Sequence, residues 1–254
     1  MRTLQFDAGN TRLKWLLREN SQPAGSGFFC NTEDWDTVLP CFLDTVGKLD
    51  QVSISIVSAD ERFEQIKKHV LATQTVPLYK AAAKKVSAGV TLSYDEPEKL
   101  GVDRWLAMLA AHATNTQDIK IVVDCGTAIT IDVLDKTGLH LGGYIVPGIS
   151  LMKKTLASNT AKIRYVESTD NSDLALGRNT ADCIHHGALA MSLALVDRVV
   201  AQYPGSRVIL SGGDGGQLEE LIDVYKEGRV SLMPDLIMDG LEIAVREDRK
   251  GCAG

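Results

Sequence analysis

The chain has 254 residues, 44% hydrophobic and 24% charged, with a formal net charge of −6. That length can bury one large core or two medium ones, and two lobes are the simpler fit. An acidic balance without a long basic run argues against nucleic acid as the main partner. It leaves a nucleotide open, because backbone amides and a metal ion can offset phosphate charge.

In chain order, residues 3–7 read as an apolar strand and 12–17 as its hairpin partner. The alternation in "VSISIVS", 52–58, predicts a strand with one polar face, and "ERFEQIKKHVLA", 61–72, follows helical spacing. "VPLYKA" is a short extended piece, and "VSAGVTLSYDEPEKLG" is a loop broken by Gly89, Pro97 and Gly101. "VDRWLAMLAAHA" is a strong helix. The second half starts with the apolar hairpin "KIVVDCGTAITIDVLD". "LHLGGYIVPGISLMKKTLA" then supplies a third strand, a Pro-Gly turn at 147–148 and a helix. A long helix of small and aliphatic residues follows in "TADCIHHGALAMSLALVDRVVAQY". "RVILSGGDGGQLEELI" is strand, glycine turn and helix, and "LMPDLIMDGLEIAVRE" closes as a helix before a polar frayed tail, "DRKGCAG". Strands alternate with helices, so the class is α/β, with a seam between lobes near 114–119.

Five cysteines, odd in number and with no C-x-x-C pair, fit a reduced, cytoplasmic chain without structural zinc. The adjacent His185 and His186 read as packing rather than a metal site. No apolar stretch of about 18 residues is evident, and Asp7 and Asn10 interrupt the start of the chain, so neither a membrane span nor a signal peptide is expected.

The strongest internal signal is a repeat. Asp124 lies 117 residues after Asp7, and each follows an apolar strand and opens a Gly-containing polar turn into a second strand. Glycine lets amides approach an oxyanion, Thr11 and Thr127 offer hydroxyls, and the two aspartates can hold a cation that screens phosphates. Two such turns facing one cleft would cradle a polyphosphate. A pair of ordinary hairpins is the plainer alternative, since Asp and Asn suit turns on conformational grounds. A third glycine turn, "LSGGDGG", leads from strand to helix. There is neither a G-x-x-x-x-G-K-[ST] phosphate loop nor a G-x-G-x-x-G dinucleotide turn.

"DAGNT", "GVDRW", "DCGTAIT", "GGYIVPGISLM" and "SGGDG" occur in that order. In this set the chain resembles the type III pantothenate kinases, of the superfamily that includes acetate and sugar kinases, actin and Hsp70. The landmarks lie in 6–14 and 94–240, and residues 15–90 carry almost none of them. The resemblance implies two duplicated ribonuclease-H-like lobes, 1–115 and 116–254, with an interlobe ATP cleft. It implies ATP-dependent phosphorylation of pantothenate, the first step toward coenzyme A. By position, Asp7, Ala8, Gly9, Asn10, Thr11, Arg12, Leu13 and Lys14 would form the first phosphate turn, and Thr127 would also contact ATP. Tyr94, Gly101, Val102, Asp103, Arg104 and Thr180 would meet pantothenate, with Asp103 the proton acceptor. Asp124 would bind a monovalent cation, K⁺ or NH₄⁺, and Mg²⁺ would arrive with ATP. A homodimer is implied, with the pantothenate pocket near its interface, and the apolar, small-residue composition of 151–200 agrees. Two departures from the family pattern are "TAKIRY" after the Pro-Gly helix and the lack of a glycine closing the first hairpin after Arg12 to Trp15.

Taken one by one, several of these residues keep a structural alternative. Asp103 opens a helix and can serve there as a first-turn acid; as a base it would be kept ionised by Arg104, which could equally pair the pantothenate carboxylate. Lys14 either reaches a phosphate or stays solvated on its strand. Tyr94 either binds substrate or caps its loop. Trp105 and Met108 read as packing and Cys125 as a small filler. Two other functions fit the scaffold: a nucleotide-binding regulator, and a kinase for a sugar or acetate. "YDEPEKLGVDR" discriminates, because a pure nucleotide switch needs no acceptor base or arginine.

Overall fold

The computed structural model describes residues 1–57, 60–114, 117–159, 174–226 and 228–251. The first elements are β1 (Arg2–Ala8), β2 (Arg12–Glu19), β3 (Gln22–Cys30), α1 (Trp35–Thr45), β4 (Gln51–Ile56), α2 (Asp60–Thr73) and β5 (Leu78–Lys80). Two short strands, β6 (Val86–Ser87) and β7 (Val90–Thr91), and a 3-10 turn (Pro97–Lys99) lead into α3 (Val102–His112). Then come β8 (Lys120–Cys125), β9 (Ala128–Leu134), β10 (His140–Pro147), α4 (Ile149–Asn159), α5 (Thr180–Gln202), β11 (Arg207–Ser211), α6 (Gly215–Lys226), β12 (Val230–Leu232) and α7 (Leu236–Gly251).

The chain divides into two units, the first made of 1–88, 94–110 and 237–254, the second of 89–93 and 111–236. Each holds a five-stranded sheet, ordered β3-β2-β1-β4-β5 in the first and β10-β9-β8-β11-β12 in the second. Element for element the pairing matches: the first three strands of each unit form an antiparallel meander, and the last two join in parallel. The repeat read from Asp7 and Asp124 is therefore a duplication of the whole sheet.

In the first unit Leu4, Phe6 and Ala8 alternate on one face and pack with Leu39 and Leu43 of α1 and Ile66 and Val70 of α2. Asp34 caps α1 by accepting from the Asp36 amide at 3.1 Å. Gln5 points to the opposite face, where its Nε2 donates to the Met238 carbonyl of α7 at 2.9 Å. Arg18 joins that contact through Gln5 at 2.8 Å and Asp239 at 2.5 Å. Gly240 lets α7 cross α3, since a Cβ there would stand 2.0 Å from the Leu106 carbonyl oxygen. In the second unit Ile121, Val123, Ile129 and Ile131 pack against Leu189, Leu193 and Val196 of α5.

The structure corrects several expectations. Residues 248–251 are the last turn of α7 rather than a frayed tail, held by Tyr79 Oη and Lys84 Nζ donating to Asp248. Division at 115/116 also fails, because α7 packs on the first sheet and 89–93 belong with the second unit. The polar face expected of β4 is there but covered, with Ser53 and Ser55 3% and 0% exposed. β3 and α1 were not expected: β3 has glycines where strands usually have bulk, because the Trp15 indole lies across it and a Cβ on Gly27 would come 2.8 Å from that ring. Trp105 and Met108 are fully buried, as read. α5 is long and apolar enough to cross a membrane by length and composition; Asp182, Asp197 and Arg198 had hidden that run. Its Leu189, Leu193, Val196 and Val199 lie in the second unit's core. "TAKIRY" lies outside the described residues.

Candidate active site

The first turn joins β1 to β2, closed by the Gly9 amide donating to the Arg12 carbonyl at 3.1 Å. Asp7 is 7% exposed, opposite Lys14 on β2 and Ser55 on β4. Ser55 Oγ donates to Asp7 Oδ1 at 3.0 Å, meeting the requirement that a buried carboxylate be hydrogen-bonded. Asn31, just after β3, grips the turn twice: its Nδ2 donates to the Gly9 carbonyl and its amide to the Thr11 carbonyl, both at 3.0 Å. Asn10, Thr11 and Arg12 are exposed, and the Arg12 guanidinium lies 4.4 Å from the Phe28 ring centroid. Ala8 and Leu13 have fully buried side chains in the core, which leaves only their backbone for a ligand.

The second turn joins β8 to β9 and is built differently. Asp124 stands opposite Thr130 on β9 and Ser211 on β11. The Gly126 amide donates to the Ala128 carbonyl at 3.0 Å, and Thr127 is exposed at the tip. The Pro-Gly turn closes on it: the Gly148 amide donates to the Thr127 carbonyl at 2.9 Å, and a Cβ on Gly148 would sit 2.2 Å from the Gly126 carbonyl oxygen. From the other side Gly212, at φ +87°, approaches so closely that a Cβ would meet the Cys125 carbonyl oxygen at 2.4 Å. Three glycine turns of this unit thus pack backbone against backbone around Asp124 and Thr127. Burial pushes the Cys125 thiol up, helped by the Asp124 and Asp214 carboxylates, so a small inert filler is what the geometry makes of it.

The acceptor segment lies in the first unit. Arg104, 6% exposed, donates from Nη1 to the Tyr94 hydroxyl at 3.3 Å, and Lys85 Nζ donates to the Tyr94 carbonyl at 2.9 Å. Asp103 Oδ1 accepts from the Arg104 amide at 2.8 Å in the first turn of α3. Gly101 makes room for that carboxylate, since a Cβ would lie 2.6 Å from Oδ1, and its carbonyl accepts from the Trp105 amide at 3.1 Å. Val102 is 9% exposed and packs inward. Thr180, exposed, begins α5 behind the cap Asn179, whose side chain accepts from the Asp182 amide at 2.9 Å; it belongs to the second unit. The structure therefore brings Tyr94, Gly101, Asp103 and Arg104 into one small constellation and leaves Thr180 on another element.

The family model of the type III pantothenate kinases matches residues 3–202. The chain belongs to the type III pantothenate kinase family. A relative of that description from Hahella chejuensis is 35% identical over 246 residues, 96% of this chain and 97% of that one. Another, from Marinobacter nauticus, is 32% identical over 243 residues, covering 94% and 96%. Among solved structures, the activator of 2-hydroxyisocaproyl-CoA dehydratase from Clostridium difficile, with bound ADPNP, superposes with a TM-score of 0.54 at 12% identity over 100% of this chain and 98% of that one. The ethanolamine utilization protein EutJ from Carboxydothermus hydrogenoformans gives 0.55 at 15% identity over 96% and 89%. This kinase thus shares with those proteins an α/β fold, in which the five-stranded sheet is duplicated. The family match runs through 15–90, where few motifs stand.

Two residues of the kinase's first turn, Asn31 and Ser55, escape sequence reasoning. Asn31 carries no motif, and Ser55 sits in an alternation that reads only as a strand with one polar face. Gly148 and Gly212 do stand in quoted motifs, but their close approach to Gly126 and Cys125 is a tertiary fact. The carboxylates of Asp7 and Asp124, each beside a glycine turn, are the hard oxygen donors that a divalent ion brought with ATP takes. Among the described residues no group of three His, Cys, Asp or Glu side chains converges.

Proposed function

We propose that the enzyme transfers the γ-phosphoryl group of ATP to the primary hydroxyl of pantothenate, giving 4′-phosphopantothenate, the first step toward coenzyme A. The observation that carries this reading is the pairing of an acid and a buried guanidinium on consecutive residues, Asp103 and Arg104, with Tyr94 on the guanidinium. Asp103 takes the proton from the attacking hydroxyl as the oxygen–phosphorus bond forms and ADP leaves. Arg104 and Tyr94 receive the anionic, hydroxyl-bearing acceptor, and a guanidinium suits a carboxylate. In-line positioning and charge neutralisation dominate phosphoryl transfer, so a carboxylate of ordinary basicity suffices.

Asp7, Gly9, Asn10, Thr11, Arg12 and Lys14 offer amides and side chains to the nucleotide, as does Thr127, with Ala8 and Leu13 contributing backbone only. Mg²⁺ bound with ATP would neutralise phosphate charge, with Asp7 beside it. Asp124, in its backbone cradle, would hold K⁺ or NH₄⁺ and remove the repulsion between a carboxylate and phosphate. Thr180 would touch the acceptor. The reaction would take place in the cytoplasm. A homodimer accounts for the apolar surface on β10, α4 and α5 and just before α5, where Ile145 is 62% exposed, Leu156 44%, Leu176 93% and Met191 67%. Light scattering should then give about twice the 27.5 kDa chain mass, and a fully active monomer would overturn the dimer.

A coupled ADP-release assay across pantothenate, sugars and acetate tests the activity. Turnover that depends on pantothenate is expected. Turnover with a sugar or acetate alone would assign a different acceptor, and ADP release indifferent to every acceptor would favour a nucleotide switch.

A further inference from the structure

We propose that Asp132, His140 and Ser93 form a relay that positions the acceptor segment. The inference rests on the reading above that 94–104 receive the acceptor. His140 Nε2 lies 3.0 Å from Asp132 Oδ1, and His140 Nδ1 lies 3.1 Å from Ser93 Oγ. The imidazole is 0% exposed and the Asp132 side chain 3%, whereas Ser93 is exposed. Three elements set this line. Asp132 is on β9, His140 starts β10 beside a register shift between His140 and Gly142, and Ser93 closes the segment carrying β7. That segment is tied to the β9–β10 turn by the Thr91 amide donating to the Gly138 carbonyl at 3.0 Å.

Aliphatic side chains would fill these sheet positions without the desolvation cost of a buried carboxylate and imidazole. What the polar pair supplies, and an aliphatic pair cannot, is direction. Asp132 orients the ring, and the ring holds a hydroxyl at one place. The next residue after that hydroxyl is Tyr94, whose own hydroxyl and carbonyl meet Arg104 and Lys85. Ser93 thus holds the chain through its side chain directly before it enters the acceptor residues. Displacement of such a segment by a fraction of an ångström acts on acceptor binding and leaves nucleotide binding alone.

Ser93→Ala removes one exposed hydroxyl, so folding is not at stake. It should raise KM for pantothenate by about tenfold while KM for ATP stays within about twofold. Ser93→Thr, which keeps the hydroxyl, should restore most of the loss, and His140→Phe should reproduce the Ser93→Ala split. Unchanged KM for pantothenate in Ser93→Ala, or equal changes for both substrates, would overturn the relay. A second readout does not depend on which acceptor is used. With 3-fluorotyrosine incorporated and Tyr94 assigned through Tyr94→Phe, the Tyr94 fluorine resonance should shift or broaden in Ser93→Ala and recover in Ser93→Thr. A resonance indifferent to Ser93→Ala overturns the relay, whereas a wild-type enzyme that ignores pantothenate overturns only the acceptor assignment.

Discussion

The sheets of the two units match strand for strand, and in each an aspartate is the next-to-last residue of the first strand, between a hairpin partner and a serine of the parallel neighbour. Asp7 stands between Lys14 and Ser55, and Asp124 between Thr130 and Ser211. The turns that follow are held in opposite ways. Around Asp7 the hold comes from side chains, Asn31 on the turn and Ser55 on the carboxylate. Around Asp124 it comes from backbone, with Gly148 and Gly212 pressed against neighbouring peptide units. A duplicated scaffold therefore keeps the position of its acid while changing what surrounds it. Gly9 of the side-chain-held turn has room for an added methyl group, and Gly148 and Gly212, which press on the second turn, have none.

The largest effect expected from that difference is on stability. Gly212→Ala places a Cβ 2.4 Å from a carbonyl oxygen at a positive φ. It should cost about 3 kcal/mol, measured as a fall in the denaturation midpoint. Gly9→Ala meets only the Arg12 carbonyl at 3.5 Å and should cost about 0.5 kcal/mol or less. Similar losses in the two variants would break the contrast. Asp103→Asn touches neither turn. It should lower kcat about 100-fold, on the scale of a lost general base, with ATP affinity by calorimetry nearly unchanged. Near-normal turnover would return Asp103 to the role of a first-turn acid that accepts from the Arg104 amide.

The two acids themselves sharpen the comparison further. The wild type should turn over several-fold faster with K⁺ or NH₄⁺ than with Na⁺, Asp124→Ala should abolish that preference, and Asp7→Asn should weaken the response to Mg-ATP. Equal wild-type rates in sodium and potassium salts would count against the cation assignment. The smallest effect is chemical. Because burial raises the Cys125 thiol, it should resist alkylation in the native enzyme at pH 8, while exposed Cys41 and Cys183 react. Mass spectrometry of the labelled chain decides this, and rapid labelling of Cys125 would mean that the glycine cradle opens.

Much of this was legible in the residues before any coordinates. Local alternation and helical spacing marked most of the strands and helices, and the two Asp-x-Gly turns announced the duplication, because strand and turn chemistry are short-range properties. β3 was not legible: its glycines look like a loop until the Trp15 indole is seen lying over them, and that ring comes from the neighbouring strand. Nor could Ser55 be separated from a solvated serine, since its burial and its bond to Asp7 come from a partner 48 residues away.

By itself the sequence determined the class, the repeat and the residues capable of phosphate and proton chemistry, because composition, periodicity and motif order are written along the chain. Only the tertiary structure decided which unit the last helix completes, which glycines are there for want of space, and that Ser93, His140 and Asp132 lie in one line. Those are long-range matters: α7 packs on β1 through Gln5 and Met238, 233 residues apart, and no local pattern encodes a contact whose partner is chosen by the fold.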